Sequence, residues 1–591
     1  MKNVRVTFEP GMIEVEIPAG SKIVSAIEKA GIPFELPCGG KGICGKCLVK
    51  VLQGASEPTE TEKKLLGGKV EDGWRLACQS RIFNNSRIFV ESKLFSYHKI
   101  LTSKGLCDRY KKNPHIVKKD LNIPPITLEN PVSLEQQIAT ALGIKTGVLN
   151  PFLLTDPSLC GQTRFTAIFY NKKRISLEKK HDRHHLYGIG FDLGTTTMVL
   201  TVFDLEECRE VITVVRPNPQ IKFGDDVISR IDFSMKEGGL KKLNSIVVEE
   251  INKMIDEAVK SSGIKNQHIY QFVLSGNTVM EHIFLKLPLN SLATIPFNPV
   301  ARGPFEIEAF RTGLHINPEG VVFIFPVLGG FVGGDTAGLI LATAIHRSEK
   351  MQIGIDIGTN GEIVIGNKDG IIATSTAAGP AFEGGRITFG MRAQTGALEK
   401  CWVSDGSLKW QVIGGNRLKG ICGSGLVDIV SVLKEHKIIN DSGRFEEFSE
   451  SELKKHMMDG VFVFEPGQEN SIYLTQKDIR EFQAARAAIR SGMEILMRIK
   501  GVKLEEIENV YLAGALGNFA NLENLKKIKM LPDFPTEKII PSGNTSLAST
   551  LLFLCNSDLK KELLEIAEKT KTIELSRHPD FQNVFTESLF F

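Results

Sequence analysis

The sequence predicts a multidomain chain of mixed α/β and α+β class, and three observations carry that prediction. Cys38, Cys44, Cys47 and Cys78 place four of the ten cysteines within the first eighty residues, three of them on one glycine-rich segment. A seven-residue segment recurs far along the chain, as Ile189-Gly-Phe-Asp-Leu-Gly-Thr195 and Ile353-Gly-Ile-Asp-Ile-Gly-Thr359, with five positions identical and the other two apolar. The 591 residues exceed what one hydrophobic core organises, so about three or four domains are expected.

Composition narrows the function classes. Hydrophobic residues make up 42% and charged residues 24%, the balance of a globular protein rather than a disordered or fibrous one. Lys plus Arg number 72 against 69 acids and form no long run, so no nucleic-acid partner is expected. The opening MKNVRVTFEP has no apolar core of a secretory signal. The stretch Gly320–Ile345 is long enough to span a membrane, but Pro326, Asp335 and several glycines interrupt it. It reads as a buried strand, a glycine-rich turn and a small-residue helix. A soluble, cytoplasmic chain without membrane contact follows. The cysteines outside the first eighty residues (Cys107, Cys160, Cys208, Cys401, Cys422 and Cys555) stand singly, as small buried hydrophobes do, and predict no disulfide scaffold.

Residues 1–95 are expected to form the first domain. Alternating VRVTF and MIEVEI read as strands joined at Pro10 and Gly11, and SKIVSAIEKAG as a short helix stopped by Gly31. LPCGGKGICGKCLVKV then spaces its cysteines C-x5-C-x2-C, with Cys78 following in RLACQS on what reads as a strand. Gly39, Gly40, Gly42 and Gly45 let backbone wrap a small inorganic core and turn amide N–H groups toward sulfur. Structural zinc favours two C-x2-4-C knuckles, whereas this segment holds one such pair and a distant fourth cysteine. The pattern fits a [2Fe–2S] cluster on Cys38, Cys44, Cys47 and Cys78. The segment resembles the β-grasp ferredoxins, with a loop one residue longer than the plant type and closer to that of adrenodoxin and putidaredoxin.

Residues 96–119 read as a linker and 120–186 as a small middle domain. It opens on PITLENPVSLEQQIATAL and contains strand-like FTAIFY and RISLEK. HDRHH, at residues 181–185, reads as a solvated connector rather than a metal site.

Residues 187–591 read as a duplicated unit, with halves of 187–350 and 351–591. Beside the recurring segment, QFVLSGN ending at Asn277 matches NVYLAGALGN ending at Asn518, and FIFPVLGGFVGGD matches KIIPSGNTSLA more weakly. Each D-x-G-T delivers an apolar strand into a tight turn. Gly194 and Gly358 free backbone N–H groups to approach phosphate oxygens. Thr195, Thr196, Thr197 and Thr359 add hydroxyl donors, and Asn360 an amide. Asp192 and Asp356 would repel bare phosphate, so they are expected to hold Mg²⁺ through its waters, or one of them to orient a hydrolytic water. A lone D-x-G-T could be an ordinary hairpin, but two copies in register with further glycine motifs point to nucleotide. No Walker A sequence occurs. This is the arrangement of the actin, heat-shock chaperone and sugar-kinase (ASKHA) superfamily. There, adenosine is contacted by glycine-rich turns, which match Gly514, Gly517 and Asn518 and, less closely, Gly423 and Ser424 of GICGSG. Tight helix packing is the other explanation for GICGSG. AAGPAFEGGRITFG (377–390) is a third small-residue loop of this kind.

Together CGGKGICGKC, RLACQS, GFDLGTTT, LSGNTVMEH, FVGGD, GIDIGTNGE, AAGPAFEGG, ICGSGLVD, QKDIREFQAARAAI and VYLAGALGN resemble the ATP-dependent reductive activators of corrinoid proteins, in the form with an N-terminal [2Fe–2S] domain. The resemblance covers nearly the whole chain. It implies one-electron repair of inactive Co(II) to Co(I) in a corrinoid methyltransferase component, with ATP and Mg²⁺ as cofactors and an external low-potential donor. It also favours a homodimer. The alternative is an actin-like ATPase gating electrons to another enzyme, as in activators of 2-hydroxyacyl-CoA dehydratases. Those carry a [4Fe–4S] cluster between subunits, for which this ATPase region offers no suitable cysteine pair.

Overall fold

The computed structural model describes residues 3–9, 13–30, 42, 47–54, 56–90, 112–129, 131–145, 154, 159–171, 173–179, 185–224, 226–415, 417–446, 451–468 and 471–591. The chain divides into two units. One comprises Met1–Ser103, Leu339–Thr545 and Glu568–Phe591, the other Lys104–Gly338 and Ser546–Ala567.

In the N-terminal module, β1 (Asn3–Glu9) alternates as a half-buried strand must, with Val4, Val6 and Phe8 inward. It pairs antiparallel with β2 (Ile13–Pro18). Helix α1 (Ile23–Lys29) buries Ile23, Ala26 and Ile27 against the same core. β3 (Leu48–Gln53), α2 (Glu60–Leu66), β4 (Trp74–Leu76) and β5 (Ser86–Phe89) complete it. The sheet order is β2-β1-β5-β3-β4, with β5 parallel to β1. This is the mixed five-stranded sheet expected of a β-grasp ferredoxin. One expectation is corrected: Cys78 lies beyond the strand. β4 ends at Leu76, where Gln79 and Ser80 N–H groups fold back on the Leu76 carbonyl at 2.8 and 2.9 Å.

FTAIFY and RISLEK form the antiparallel pair β7 (Arg164–Tyr170) and β8 (Lys173–Lys179). β6 (Ile116–Asn122) joins the other edge of β7, beginning within the residues expected to be linker. Helix α3 (Leu134–Leu142) starts at a Ser133/Gln136 capping box and stops at left-handed Gly143.

Five strands of the second unit are β9 (Tyr187–Leu193), β10 (Thr197–Asp204), β11 (Arg209–Pro217), β12 (Ile269–Gly276) and β13 (Phe305–Glu308). Helices α4 (Val227–Ser234), α5 (Gly239–Ser262) and α6 (Thr278–Leu285) cover them, and β14 (Val321–Ile324) leads to α7 (Gly334–Thr343). The strand, turn and helix expected over Gly320–Ile345 are thus present. No described helix is long and apolar enough to cross a membrane.

The other unit repeats the pattern with β15 (Met351–Ile357), β16 (Gly361–Asn367), β17 (Gly370–Thr376), β18 (Ala397–Ser404) and α8 (Gly423–Glu435). Next come α9 (Gln476–Lys500), β19 (Ile507–Ala513), α10 (Gly514–Phe519), β20 (Ile539–Gly543) and α11 (Thr545–Cys555). The order β11-β10-β9-β12-β14 in one sheet matches β17-β16-β15-β19-β20 in the other. The register agrees too: Asp192 lies opposite Ser275 across a parallel pair, and Asp356 opposite Ala513. The boundary between units falls inside α7, at Gly338/Leu339, and inside α11, at Thr545/Ser546.

Candidate functional site

In the N-terminal module, Cys47 and Cys78 are 2% and 1% exposed, with their sulfurs 3.2 Å apart. The ladder between β3 and β4 aligns them, and the Ala77 N–H donates to the Cys47 carbonyl at 2.9 Å. Gln79 Nε2 donates to Cys78 Sγ at 3.4 Å, a contact that favours negative charge on sulfur. Gly42 has φ +74°, and a Cβ there would fall 2.5 Å from Gln79 Nε2. Beneath them lies Glu62, fully buried in α2, whose Oε1 accepts the Leu76 N–H at 2.8 Å and the Ser80 hydroxyl at 2.6 Å. Two buried thiols with an amide donor and a glycine cradle fit thiolate ligation of a cluster. Cys38, Cys44, Gly39, Gly40 and Gly45 lie outside the described residues, as do residues 181–184 of HDRHH. His185 points its Nδ1 toward Asp204, 3.7 Å away. Among the described residues no cluster of His, Cys, Asp and Glu is arranged to hold a metal ion.

The first hairpin turns from β9 into β10 through Gly194, Thr195 and Thr196. Its turn is braced on all sides. Asn218 Nδ2 donates to the Gly194 carbonyl at 2.9 Å, and buried Arg230 donates to the Thr195 carbonyl at 2.6 Å. Asn277, the N-cap of α6, donates to Thr195 Oγ1 at 2.8 Å and leaves that hydroxyl hydrogen available. A Cβ on Gly194 would sit 2.4 Å from the Thr197 carbonyl, so glycine is needed for the turn itself. The Asp192 carboxylate accepts from Ser546 Oγ at 2.8 Å, and Ser546 lies 3.0 Å from Ser275 Oγ.

Two carboxyls that sequence reasoning did not single out join this cluster. Asp335, in the first turn of α7, accepts the Thr336 N–H at 2.6 Å. Burial raises its pKa to about 6 against that hydrogen bond, with the Asp192 charge adding to the rise. Glu281, in the first turn of α6, accepts the Gly276 N–H at 3.2 Å. Burial pushes its carboxyl well above the ordinary range, and the Asp335 charge adds to this. Both lie within motifs already noticed, LSGNTVMEH and FVGGD, but their proximity to Asp192 carries no local sequence signal.

The second hairpin turns through Gly358, Thr359 and Asn360, closed by the Gly358 N–H on the Asn360 carbonyl at 3.0 Å. Thr359 Oγ1 donates to Glu383 at 2.9 Å. Gly514, at the end of β19, has φ +81°, and a Cβ there would lie 2.5 Å from Asp356 Oδ1 and 2.6 Å from the Ile357 carbonyl. Asp356 therefore rests directly on the glycine turn matched to the first half. A Cβ on Gly423 would fall 2.1 Å from the Phe382 carbonyl, and one on Gly425 would fall 2.2 Å from the Leu398 carbonyl. These two glycines serve close packing of α8. Ser424 is buried beside Cys422, with the two side chains 3.3 Å apart. Gly517 lies within α10, with a Cβ position 2.8 Å from the Leu512 carbonyl. The side chain of Asn518 lies outside the described residues.

A ferredoxin-type module followed by duplicated D-x-G-T hairpins defines a redox ATPase. Residues 6–82 match the 2Fe-2S iron-sulfur cluster binding domain, 187–348 the RACo middle region, and 350–591 the C-terminal domain of RACo, the ASKHA domain. The corrinoid activation enzyme RamQ of Eubacterium limosum is 31% identical over 606 residues, covering 100% of this chain and 99% of that protein. The [Co(II) methylated amine-specific corrinoid protein] reductase of Methanosarcina barkeri is 25% identical over 422 residues, 65% of this chain and 73% of that protein. A solved structure of a reductive activator for corrinoid, iron-sulfur protein superposes with a TM-score of 0.74 at 30% identity, covering 100% of this chain and 98% of that one. The chain belongs to the family of reductive activators of corrinoid proteins.

Proposed function

We propose that this protein returns the cobalt of a partner corrinoid protein from Co(II) to Co(I), one electron at a time, at the expense of ATP. The observation that carries this is whole-length kinship with corrinoid activators on a chain that joins a buried thiol pair to two Asp hairpins at matching sheet positions. Cys38, Cys44, Cys47 and Cys78 would hold the [2Fe–2S] cluster, which supplies a one-electron carrier. Gln79 favours charge on the Cys78 sulfur, and Glu62 holds the Leu76–Ser80 turn in place.

At each hairpin the chain's own groups divide the work. Gly194 and Gly358 let backbone come close to phosphate; Thr195, Thr196, Thr197 and Asn360 add donors, and Thr359 does so by turning its hydroxyl from Glu383. Asp192 and Asp356 would hold Mg²⁺, which would neutralise phosphate charge there, and one of them would orient the attacking water. Gly514, Gly517 and Asn518 approach the adenosine, and Gly423 and Ser424 support that region from α8. An external low-potential donor refills the carrier, and the family resemblance favours a homodimer acting in the cytoplasm.

Magnitudes favour a nucleotide-linked conformational step. One-electron transfer against about 59 mV costs about 1.4 kcal/mol. Site-to-site couplings of about 1–3 kcal/mol therefore offset a deficit of about 40–130 mV. The test is steady-state phosphate release with and without a corrinoid protein in the Co(II) state. Release that rises on adding the partner supports the proposal. Nucleotide that binds but is never hydrolysed, with or without partner, refutes the ATPase assignment.

A further inference from the structure

Glu281 is an ionisable group that nucleotide binding leaves without a role. It is 1% exposed and forms no ion pair with a described cation. A buried carboxyl without such a partner is costly and persists only where its hydrogen bonds are specific. Here its Oε1 accepts the Gly276 N–H at 3.2 Å and lies close against Gly334. Gly276 ends β12 directly after Ser275, which lies opposite Asp192, and Gly334 opens α7 directly before Asp335.

The contact leaves no spare room. A Cβ on Gly334 would lie 2.2 Å from Glu281 Oε1, and one on Gly333 would lie 2.4 Å from the Asn277 Cα. Both glycines of FVGGD are thus required so that this turn can press onto the β12–α6 turn. Glu281 is the side chain that fastens the two together. We infer that Glu281 is a positioning residue for Asp335: its carboxyl oxygen, bonded to the Gly276 N–H and packed against Gly334, fixes the turn that sets Asp335 beside Asp192.

This rests on the assignment of the Asp192 hairpin to nucleotide. Glu281 itself touches no nucleotide; it acts through the place it gives Asp335. Its partner, the Gly276 N–H, is a donor, so an amide oxygen in the same position serves equally well. Glu281→Gln is therefore expected to keep the fastening, whereas Glu281→Met fills the volume without an acceptor and Glu281→Ala removes both.

The experiment measures MgATP affinity by calorimetry on the full-length holoprotein, for these three variants, for Asp335→Asn and for the double variants. Thermal melts check that each is folded. Glu281→Met and Glu281→Ala are expected to weaken MgATP about ten-fold or more, and Glu281→Gln to stay within about two-fold. In the Asp335→Asn background, Glu281→Met should add no further loss, because the residue through which it acts is already removed. Losses that multiply independently in the double variant, or a Gln variant as impaired as Met, would overturn the inference. A folded Met variant with unchanged affinity would overturn it as well. Failure of the unmodified protein to bind MgATP would overturn the nucleotide assignment and this inference together.

Discussion

Replacing Gly514 by alanine tests the second phosphate hairpin at its tightest point. Gly514 adopts φ +81°, a conformation that costs an alanine about 1–2 kcal/mol. The new Cβ would also fall 2.5 Å from Asp356 Oδ1, 2.6 Å from the Ile357 carbonyl and 3.0 Å from the Ile357 N. Overpacking of this kind costs about 1–3 kcal/mol, so the substitution places about 2–5 kcal/mol of strain at the turn. The Ile357 backbone is held in the ladder from β15 to β16, whereas Asp356 meets the new Cβ through a side-chain oxygen. The displacement therefore falls mainly on Asp356. If about 2 kcal/mol reaches the nucleotide, MgATP affinity drops about 30-fold. Calorimetric titration with MgATP, alongside a thermal melt, reads both effects. Gly358→Ala is the internal contrast. Its Cβ would lie 3.7 Å from the Asn360 carbonyl, an ordinary contact, so it should melt near the unmodified protein and weaken MgATP only by blocking phosphate. A Gly514→Ala protein with unchanged melting and unchanged MgATP affinity would refute the reasoning.

Other outcomes follow from buried groups. Glu62→Ala leaves the Leu76 N–H and the Ser80 hydroxyl without their buried acceptor, at about 1–3 kcal/mol each. Iron and acid-labile sulfide per chain should fall, and full cluster content in that variant would contradict the role given to Glu62. His115 is 2% exposed and stacked on Phe553 at 4.4 Å, and burial lowers its pKa from 6.5 to about 4 against the bond to Asn171. The unfolded chain takes up a proton near pH 6.5 that the native protein refuses until about pH 4. The stability His115 allows is thus fully present above pH 6.5 and is lost as pH falls toward 4, by about 3 kcal/mol at most. Denaturant unfolding between those pH values should show a shallower slope for His115→Phe, and an unchanged slope would show that other groups carry it.

The parts legible in the sequence were those that a short segment specifies by itself. The C-x5-C-x2-C spacing marked the cluster loop, and the repeated D-x-G-T turns marked the duplication later seen as matching strand orders. What escaped depends on contacts between remote segments. Ser546 reaches Asp192 across 354 residues, a contact that the weak match of KIIPSGNTSLA to FIFPVLGGFVGGD does not announce. Glu281 and Asp335 sat inside familiar strings, yet only the packing of FVGGD on the β12–α6 turn reveals that they share a site. Cys78 in RLACQS was expected on a strand, but the buried Glu62 takes the Leu76 N–H where β4 ends. GICGSG illustrates the converse. Its glycines looked equally suited to ligand contact and to packing, and the carbonyls of Phe382 and Leu398 fill the space beside Gly423 and Gly425.

The most direct test of ATP-driven corrinoid activation is optical. A corrinoid protein held as Co(II) is mixed with the anaerobically purified protein and a chemical reductant, with and without MgATP, and Co(I) is followed by its absorbance. Cys78→Ala serves as the cluster-deficient control. Co(I) is expected only when MgATP and the intact cysteine set are both present. Equal Co(I) formation without MgATP, or by the Cys78→Ala protein, would contradict the coupling of the two modules.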